Sequence, residues 1–241
     1  STATGTYDNL EEISAFCREK RLWFHVDGAH GLGVLFSDKY RHLVRGLEHA
    51  DSVVLDFHKM LLTPGLNTMV LFRDGRRSYE TFAQKAGYLF EKHDSNEWYN
   101  GAKRTLECTR SALGIVAWAV INYYGKEALG KYVESRYDLA ARFAGAIRRE
   151  KGMELAVTPE SNIVCFRYAP DGTPAEKLND LNRMIRKELV HSGEFYIVQT
   201  ELDGNIWMRT ALMNAMTDDN DLERLLGSVR KRGDELTQLL T

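Results

Sequence analysis

Two side chains with useful chemistry follow short apolar runs of this sequence. Lys59 comes shortly after the run at 52–55, and Asp27 ends the run at 22–26. A lysine amine at the end of a strand can form an imine with an aldehyde, and a carboxylate on a neighbouring strand can hold a protonated ring nitrogen. Each residue alone has a commoner explanation, because such a lysine is usually solvated and an aspartate before glycine usually forms a turn. His58 is likewise more often an ordinary loop or core histidine.

The sequence around these residues predicts alternating helices and strands. Asp8 as N-cap, with Glu11 three residues later, is a capping-box pattern that predicts a helix over 9–20. Apolar strands that alternate with helices favour a sheet covered on both faces, with ligand groups at the strand ends. The predicted elements that follow are a strand at 22–26, a helix at 39–48, and strands at 52–55 and 68–72.

The second half of the sequence predicts a different arrangement. The stretch 76–104 has no clean period and is interpreted as a helix plus a long loop. Helices are predicted at 106–124 and 126–150, with a break at Gly125. A small α/β domain with a mostly antiparallel sheet is then predicted from strands at 153–157, 162–168, 195–200 and 205–210 and helices at 174–191 and 218–240. The predicted domains are 1–125, a linking helix at 126–150, and 151–241.

Composition excludes several classes of function. The 241 residues are 44% hydrophobic and 27% charged, which is typical of a globular protein. The net charge of -2 gives no excess of positive charge that would attract nucleic acid or an anionic membrane. Apolar runs such as 112–121 are shorter than the roughly 20 residues of a membrane span. The three cysteines, Cys17, Cys108 and Cys165, lack metal-ligand spacing and indicate a reducing, cytoplasmic setting without a metal site. A small-molecule partner is the expectation.

Three motifs taken together carry a family resemblance. They are the residues at 24–29 (FHVDGA), those at 50–59 (ADSVVLDFHK), and the N-terminal stretch 1–10 (STATGTYDNL), and Lys59 lies 32 positions after Asp27. In this order and spacing they resemble the group II pyridoxal phosphate (PLP) dependent decarboxylases, which include aromatic amino acid, glutamate and diaminobutyrate decarboxylases. The resemblance implies an α/β fold of the PLP-dependent transferase type (fold type I), of which this chain holds the second part of the large, mostly parallel-sheet domain and the small C-terminal domain.

The resemblance also implies roles for single residues near the cofactor. Lys59 binds PLP as an imine, and Asp27 pairs with the ring nitrogen. Ala29 packs under the ring, where a larger side chain would displace it. His58 reaches toward the phosphate, and Thr2 lies close to the cofactor.

Further matches extend the resemblance along the chain. Tyr88 falls where the family has a mobile-loop tyrosine that returns a proton after carbon dioxide loss; its alternative is a packing role. Arg110, before a helix, and Arg209, in a late strand, match family arginines that either bind substrate or form structural ion pairs. The implied reaction is decarboxylation of an L-amino acid to an amine by a homodimer. Other PLP lyase or aminotransferase chemistry and a non-catalytic fragment remain alternatives.

The sequence departs from the family pattern in several places. Asp56 and Phe57 stand where many members have Asn-Pro, and a carboxylate is unfavourable beside a phosphate. Asp56 is therefore not assigned to phosphate binding. The Asp-Phe-His-Lys form resembles the diaminobutyrate and aspartate decarboxylase branch and favours a small polar or charged substrate. Gly28 replaces a common alanine, and His30 replaces an aromatic residue.

A larger departure concerns the rest of the site. In the family, a long segment before the lysine half supplies the phosphate cup and a histidine that stacks on the ring, and this sequence does not contain that pattern. We therefore expect the site to need an N-terminal segment of the same enzyme, and the chain alone to be an incomplete site.

Overall fold

The computed structural model describes residues 1–81, 101–107 and 109–240. These residues form two compact units, one of residues 9–130 and one that combines 1–8 with 131–241. The second unit is therefore discontinuous in sequence. The predicted division at 125 and 150 remains a prediction of the domain boundaries.

The first helix, α1, begins one residue later than expected. It spans Leu10–Lys20, and its N-cap is Asn9, whose side chain accepts a hydrogen bond from the Glu12 backbone N–H. The Asn9 amide also donates to the Glu12 carboxylate at 2.7 Å. The prediction of Asp8 and Glu11 as the capping pair was wrong by one position, because two adjacent residues able to cap are each followed by a glutamate three residues on.

The unit of residues 9–130 contains a three-stranded mixed sheet. Its strands are β1 (His25–Asp27), β2 (Ser52–Asp56) and β3 (Thr68–Phe72), in that spatial order. The first pair is parallel, with Asp27 opposite Val54, and the second pair is antiparallel, with Asp56 opposite Thr68. A short helix, α2 (Arg76–Thr81), follows the last strand. The three predicted strands are confirmed, although β1 is shorter than expected.

The connection from β1 to β2 contains no α-helix, so the helix predicted at 39–48 was wrong. Three short 3-10 helices occur instead, at Gly31–Phe36, Arg41–Val44 and Leu47–His49. The backbone leaves the helical region at Arg45, with ψ 135°, and takes a left-handed value at Gly46, with φ 94°. Consecutive non-helical residues stop an α-helix from propagating, and the glycine makes the left-handed turn accessible.

The long helix α3 spans Leu113–Arg149 and is broken at Gly125, where φ is 77° and ψ is 162°. This break was predicted. The predicted start at 106 was wrong, because residues 106, 107 and 109–112 are not helical. The backbone N–H of Leu113 donates to the Ser111 carbonyl in a tight turn just before the helix.

The second unit carries an antiparallel sheet covered by helices. The elements are β4 (Met153–Leu155), β5 (Ile163–Tyr168), α4 (Ala175–His191), β6 (Val198–Leu202), β7 (Asn205–Ala211) and α5 (Asp219–Leu240). Buried apolar side chains of the sheet, of α4 and of α5 form one core with the C-terminal part of α3. The spatial order of the strands is β4-β5-β7-β6, and every pair is antiparallel where a mostly antiparallel sheet was predicted.

Two features are absent from the residues that the structure describes. None of the described helices is long and apolar enough to cross a membrane. No cluster of three or more potential metal-ligating side chains occurs within 1–81, 101–107 and 109–240. Cys17 and Cys165 are both free thiols, and Cys108 lies outside the described residues.

Candidate functional site

The parallel pairing of β1 and β2 brings the predicted site residues to one edge of the sheet. Asp27 is the last residue of β1, and Lys59 lies three residues beyond the end of β2. The loop after β1 stays joined to β2, since Gly28 donates its N–H to the Val54 carbonyl and Asp56 donates its N–H to the Ala29 carbonyl. The carboxyl ends of adjacent parallel strands are where α/β sheets hold ligands.

Lys59 sits in a turn anchored by buried neighbours. The Phe57 N–H donates to the Asn67 carbonyl at 2.8 Å, and the Thr63 N–H closes the turn on the Phe57 carbonyl at 3.2 Å. Met60 and Leu61, which follow the lysine, are fully buried. The Lys59 side chain itself is 35% exposed, so its amine is held by a rigid backbone but remains accessible.

The amine of Lys59 is paired with a carboxylate. Its Nζ lies 2.8 Å from Oδ2 of Asp56, whose side chain is largely buried. The other carboxylate oxygen, Oδ1, accepts a hydrogen bond from the Thr68 hydroxyl at 2.5 Å. Asp56 and Thr68 are opposite each other in the β2–β3 register, so the sheet itself fixes the carboxylate that meets the lysine.

Asp56 remains ionised despite its burial. Burial on its own raises the pKa of a carboxyl group, but hydrogen bonds from Lys59 and Thr68, together with the charges of Lys59 and His58, hold the pKa of Asp56 below its ordinary value. The Asp56 side chain at the base of this turn is therefore a carboxylate at neutral pH.

Asp27 is exposed and only partly engaged. Its Oδ1 accepts the Ala29 backbone N–H at 3.1 Å. No other hydrogen bond to this carboxylate is made by the part of the chain that the structure describes, so Oδ2 is available to a further donor. An available carboxylate at the end of β1 is what a protonated ring nitrogen requires.

His58 is oriented by its own loop. Its Nδ1 lies 3.1 Å from both the backbone nitrogen and the carbonyl oxygen of Asn67. Nε2 lies 3.8 Å from Oδ2 of Asp56. The histidine is thus on the same side of the turn as the lysine amine.

A cleft of about 910 Å³ lies beside β3 and the start of α3. Phe57, Asn67 and Thr68, which contact the turn of Lys59 and Asp56, line this cleft, whereas Lys59 and Asp27 are not among its lining residues. Arg110 lines this cleft, is exposed, and precedes the first residue of α3. Tyr88, the predicted proton donor, lies outside the described residues.

Arg209 contacts the N-terminal stretch of its own unit. Its Nε donates to the Ala3 carbonyl and its Nη2 donates to the Thr2 carbonyl, both at 2.9 Å. The Cys165 thiol also donates to Ala3. Arg209 therefore ties the first residues to β7, as Cys165 ties them to β5, which favours a structural role for Arg209. The closeness of Thr2 to the cofactor stays a prediction.

The sequence pattern of the pyridoxal-dependent decarboxylase conserved domain matches residues 1–169 of the chain, which is well over half of it. The chain belongs to this family. Two family members are also similar over most of the chain. It is 32% identical over 188 residues to the L-aspartate decarboxylase of Metarhizium robertsii and 31% identical over 238 residues to the L-2,4-diaminobutyrate decarboxylase of Rhizobium meliloti. These alignments cover 77% and 98% of the chain, respectively.

A solved structure confirms the predicted fold of this family member. The crystal structure of Oryza sativa TDC with PLP and tryptamine matches 98% of the chain with a TM-score of 0.88, at 23% identity. The match covers 49% of that structure's chain, and the alignments with the two relatives cover 38% and 47% of their lengths. The chain thus spans about half the length of the decarboxylases that it matches, or less.

The glycine that replaces the family's common alanine has a local cause. A Cβ placed on Gly28 would lie 2.0 Å from Cγ and 3.0 Å from Cβ of Leu32. Leu32 is 1% exposed and belongs to the core. The space of the missing methyl group is therefore filled by a buried leucine one turn further along the chain.

We expect Gly28→Ala to lower the free energy of unfolding by about 1–3 kcal/mol, because the new methyl group overpacks the core. Urea denaturation measures this change. The double variant Gly28→Ala with Leu32→Ala should lose less stability than the sum of the losses in the two single variants, because the second change opens the space that the first one needs. Gly114→Ala is the matched control, since nothing lies within 4 Å of a Cβ there. Additive effects of the two changes would contradict the explanation.

The ion pair between Asp56 and Lys59 was not predicted from the sequence. Asp56 was recognised as a departure from the family motif, but the orientation of its carboxylate also depends on Thr68, which lies on another strand. The available signal was the spacing of Asp56 and Lys59 itself, since three residues across a turn can bring two side chains together.

Proposed function

We propose that this protein takes part in the PLP-dependent decarboxylation of an L-amino acid to the corresponding amine and carbon dioxide. The observation that carries the proposal is the placement of Lys59 and Asp27 at the carboxyl ends of adjacent parallel strands in a member of this family. An amine and an available carboxylate at that edge fit the aldehyde and the ring nitrogen of PLP.

Each residue of the site has a distinct task in this proposal. When bound, PLP supplies a protonated ring that accepts the electron pair released as carbon dioxide leaves. Lys59 supplies the amine that attaches the cofactor. Asp27, through Oδ2, holds the proton on the ring nitrogen. Ala29 offers a small side chain beneath the ring, and His58 reaches toward the phosphate.

The remaining parts of the site are proposed from the family. Because the chain spans about half the length of its relatives, we propose that an N-terminal segment of the same enzyme supplies further cofactor contacts. We also propose that Thr2 of this chain lies close to the cofactor. We assign Arg110 to substrate binding or to a structural ion pair, and Arg209 to holding the N-terminal stretch in place.

A direct assay tests the reaction. The protein is incubated with PLP and candidate amino acids, and the release of carbon dioxide is compared with the formation of a keto acid. Carbon dioxide with an equal amount of amine supports decarboxylation, whereas keto acid without carbon dioxide indicates aminotransferase chemistry. Borohydride reduction, followed by peptide mapping, locates the lysine that carries the cofactor.

The substrate is proposed to be a small polar or charged amino acid. Support comes from the Asp-Phe-His-Lys sequence at 56–59 and from the similarity to decarboxylases of L-aspartate and L-2,4-diaminobutyrate. A panel of aspartate, 2,4-diaminobutyrate and phenylalanine distinguishes this proposal from an aromatic substrate.

Tyr88 is proposed as the group that returns a proton to the carbon that lost the carboxylate. We expect Tyr88→Phe to slow amine formation by about a hundredfold, the lower end of the range for general acid catalysis, with PLP binding retained. Amine release in single-turnover assays measures the first effect, and cofactor absorbance measures the second. The control is Tyr196→Phe, which removes the hydroxyl of an 84% exposed tyrosine. If Tyr88→Phe forms amine at the unmodified rate, Tyr88 has no part in proton return.

Two further properties are proposed with this function. We propose a homodimer, in keeping with the family resemblance, and a cytoplasmic location, in keeping with the free thiols of Cys17 and Cys165. Sedimentation of the purified protein measures the first, and fractionation of the source cells measures the second.

A further inference from the structure

The Asp56 carboxylate is built into the sheet rather than placed by a flexible loop. Asp56 is the last residue of β2, and its backbone N–H donates to the Ala29 carbonyl. The carboxylate oxygen Oδ1 accepts a hydrogen bond from the hydroxyl of Thr68 on the neighbouring strand. Asp56 is 7% exposed. With backbone and one oxygen fixed in this way, Oδ2 is presented to Lys59 at 2.8 Å.

Among the residues that the structure describes, the titratable groups that face this carboxylate are Lys59 and His58, and Thr68 is a neutral donor. A buried carboxylate that loses its cationic partner is left uncompensated, which is costly in a region of low polarity. Asp56 therefore favours a positively charged nitrogen on Lys59.

We propose that Asp56 is a positioning residue for Lys59, which holds the lysine nitrogen at the strand end and limits how much of it is an unprotonated amine. The relevance of this role to PLP rests on the proposed function. An aldehyde reacts only with an unprotonated amine. The carboxylate thus controls both the position of the amine and the fraction of it that is unprotonated, and cofactor attachment depends on both.

Competitive acetylation of the cofactor-free protein tests this directly. Trace acetic anhydride labels unprotonated amines, and peptide mass spectrometry reports the labelling rate of each lysine as a function of pH. For Asp56→Asn, which keeps the shape and a hydrogen-bond acceptor but removes the charge, we expect Lys59 to label about fivefold faster at neutral pH, the factor for a partly screened ion pair. The labelling profile of Lys59 should move to lower pH.

Two other variants make the test specific. Thr68→Val keeps the charge of Asp56 but releases its Oδ1, so Lys59 should label faster than in the unmodified protein and slower than in Asp56→Asn. Glu19→Gln removes the carboxylate 2.6 Å from Lys20 in an exposed pair, and the labelling of Lys20 should change by less than about twofold. The first variant also tests the proposal if Asp56→Asn does not fold.

The outcomes separate this inference from the proposed function. An unchanged labelling rate and pH profile of Lys59 in folded Asp56→Asn, or in Thr68→Val if the former does not fold, would overturn the role of Asp56. Faster labelling of Lys59 supports that role even if PLP never attaches to this lysine, in which case only the proposed function fails. Attachment of PLP to Lys59 at the same rate in both proteins, with unchanged acetylation, would leave the function standing and reject the inference.

Discussion

Replacement of Lys59 by arginine is expected to abolish cofactor attachment at this position and to lower amine production at least about a thousandfold. A guanidinium group stays protonated and does not form the imine that a lysine amine forms. It does keep a positive charge beside Asp56, whose Oδ2 lies 2.8 Å from the lysine nitrogen. The loss of chemistry is therefore separated from the loss of the ion pair. Borohydride trapping with peptide mapping, together with carbon dioxide release, measures the effect.

Lys59→Ala is the matched comparison for Lys59→Arg. It removes the amine and also leaves the largely buried Asp56 without its counterion, so we expect the free energy of unfolding to fall by about 1–2 kcal/mol relative to the arginine variant. Urea denaturation of both variants measures the difference. Cofactor trapped with unreduced yield, or turnover retained, in folded Lys59→Arg would show that Lys59 is not the attachment residue.

The sequence predicted that Lys59 and Asp27 follow two strands of one sheet because that prediction depends on local patterns, whereas the roles of these residues at a cofactor were implied by the family resemblance. Lys59 and Asp27 each follow a short apolar run, and two such runs in a helix–strand alternation favour parallel pairing. The structure brings both residues to one sheet edge through the pairing of β1 with β2. No distant contact was needed for this inference.

The ion pair of Asp56 could not be predicted in the same way. Its geometry depends on the antiparallel register that sets Asp56 opposite Thr68, and register follows from packing over the whole sheet. The same limit explains the segment predicted as a helix at 39–48. There Val44 is buried and Gly46 adopts φ 94°, so tertiary contacts and a left-handed residue outweigh local helix propensity.

Asp27→Asn is expected to lower amine production by about a hundredfold to a thousandfold while cofactor attachment to Lys59 is retained. Asparagine keeps an oxygen that accepts the Ala29 N–H, which Asp27 binds at 3.1 Å, so the loop after β1 should not change. It removes the negative charge that, in the proposed function, holds a proton on the ring nitrogen. This fall in rate corresponds to a loss of about 3–4 kcal/mol of transition-state stabilisation.

The control for Asp27→Asn lies at the other end of the same two strands. Asp51 accepts the Phe24 backbone N–H at 2.8 Å just before β1 and β2 begin, so Asp51→Asn removes an equal charge from the amino edge of the sheet. Because charge at that edge has no ring nitrogen to stabilise, amine production should change by less than about twofold. Equal losses in both variants would mean that the sheet responds to net charge. A loss confined to Asp27→Asn, with the adduct on Lys59 intact, means that the carboxyl edge supplies two separable functions: attachment of the cofactor and stabilisation of its protonated ring.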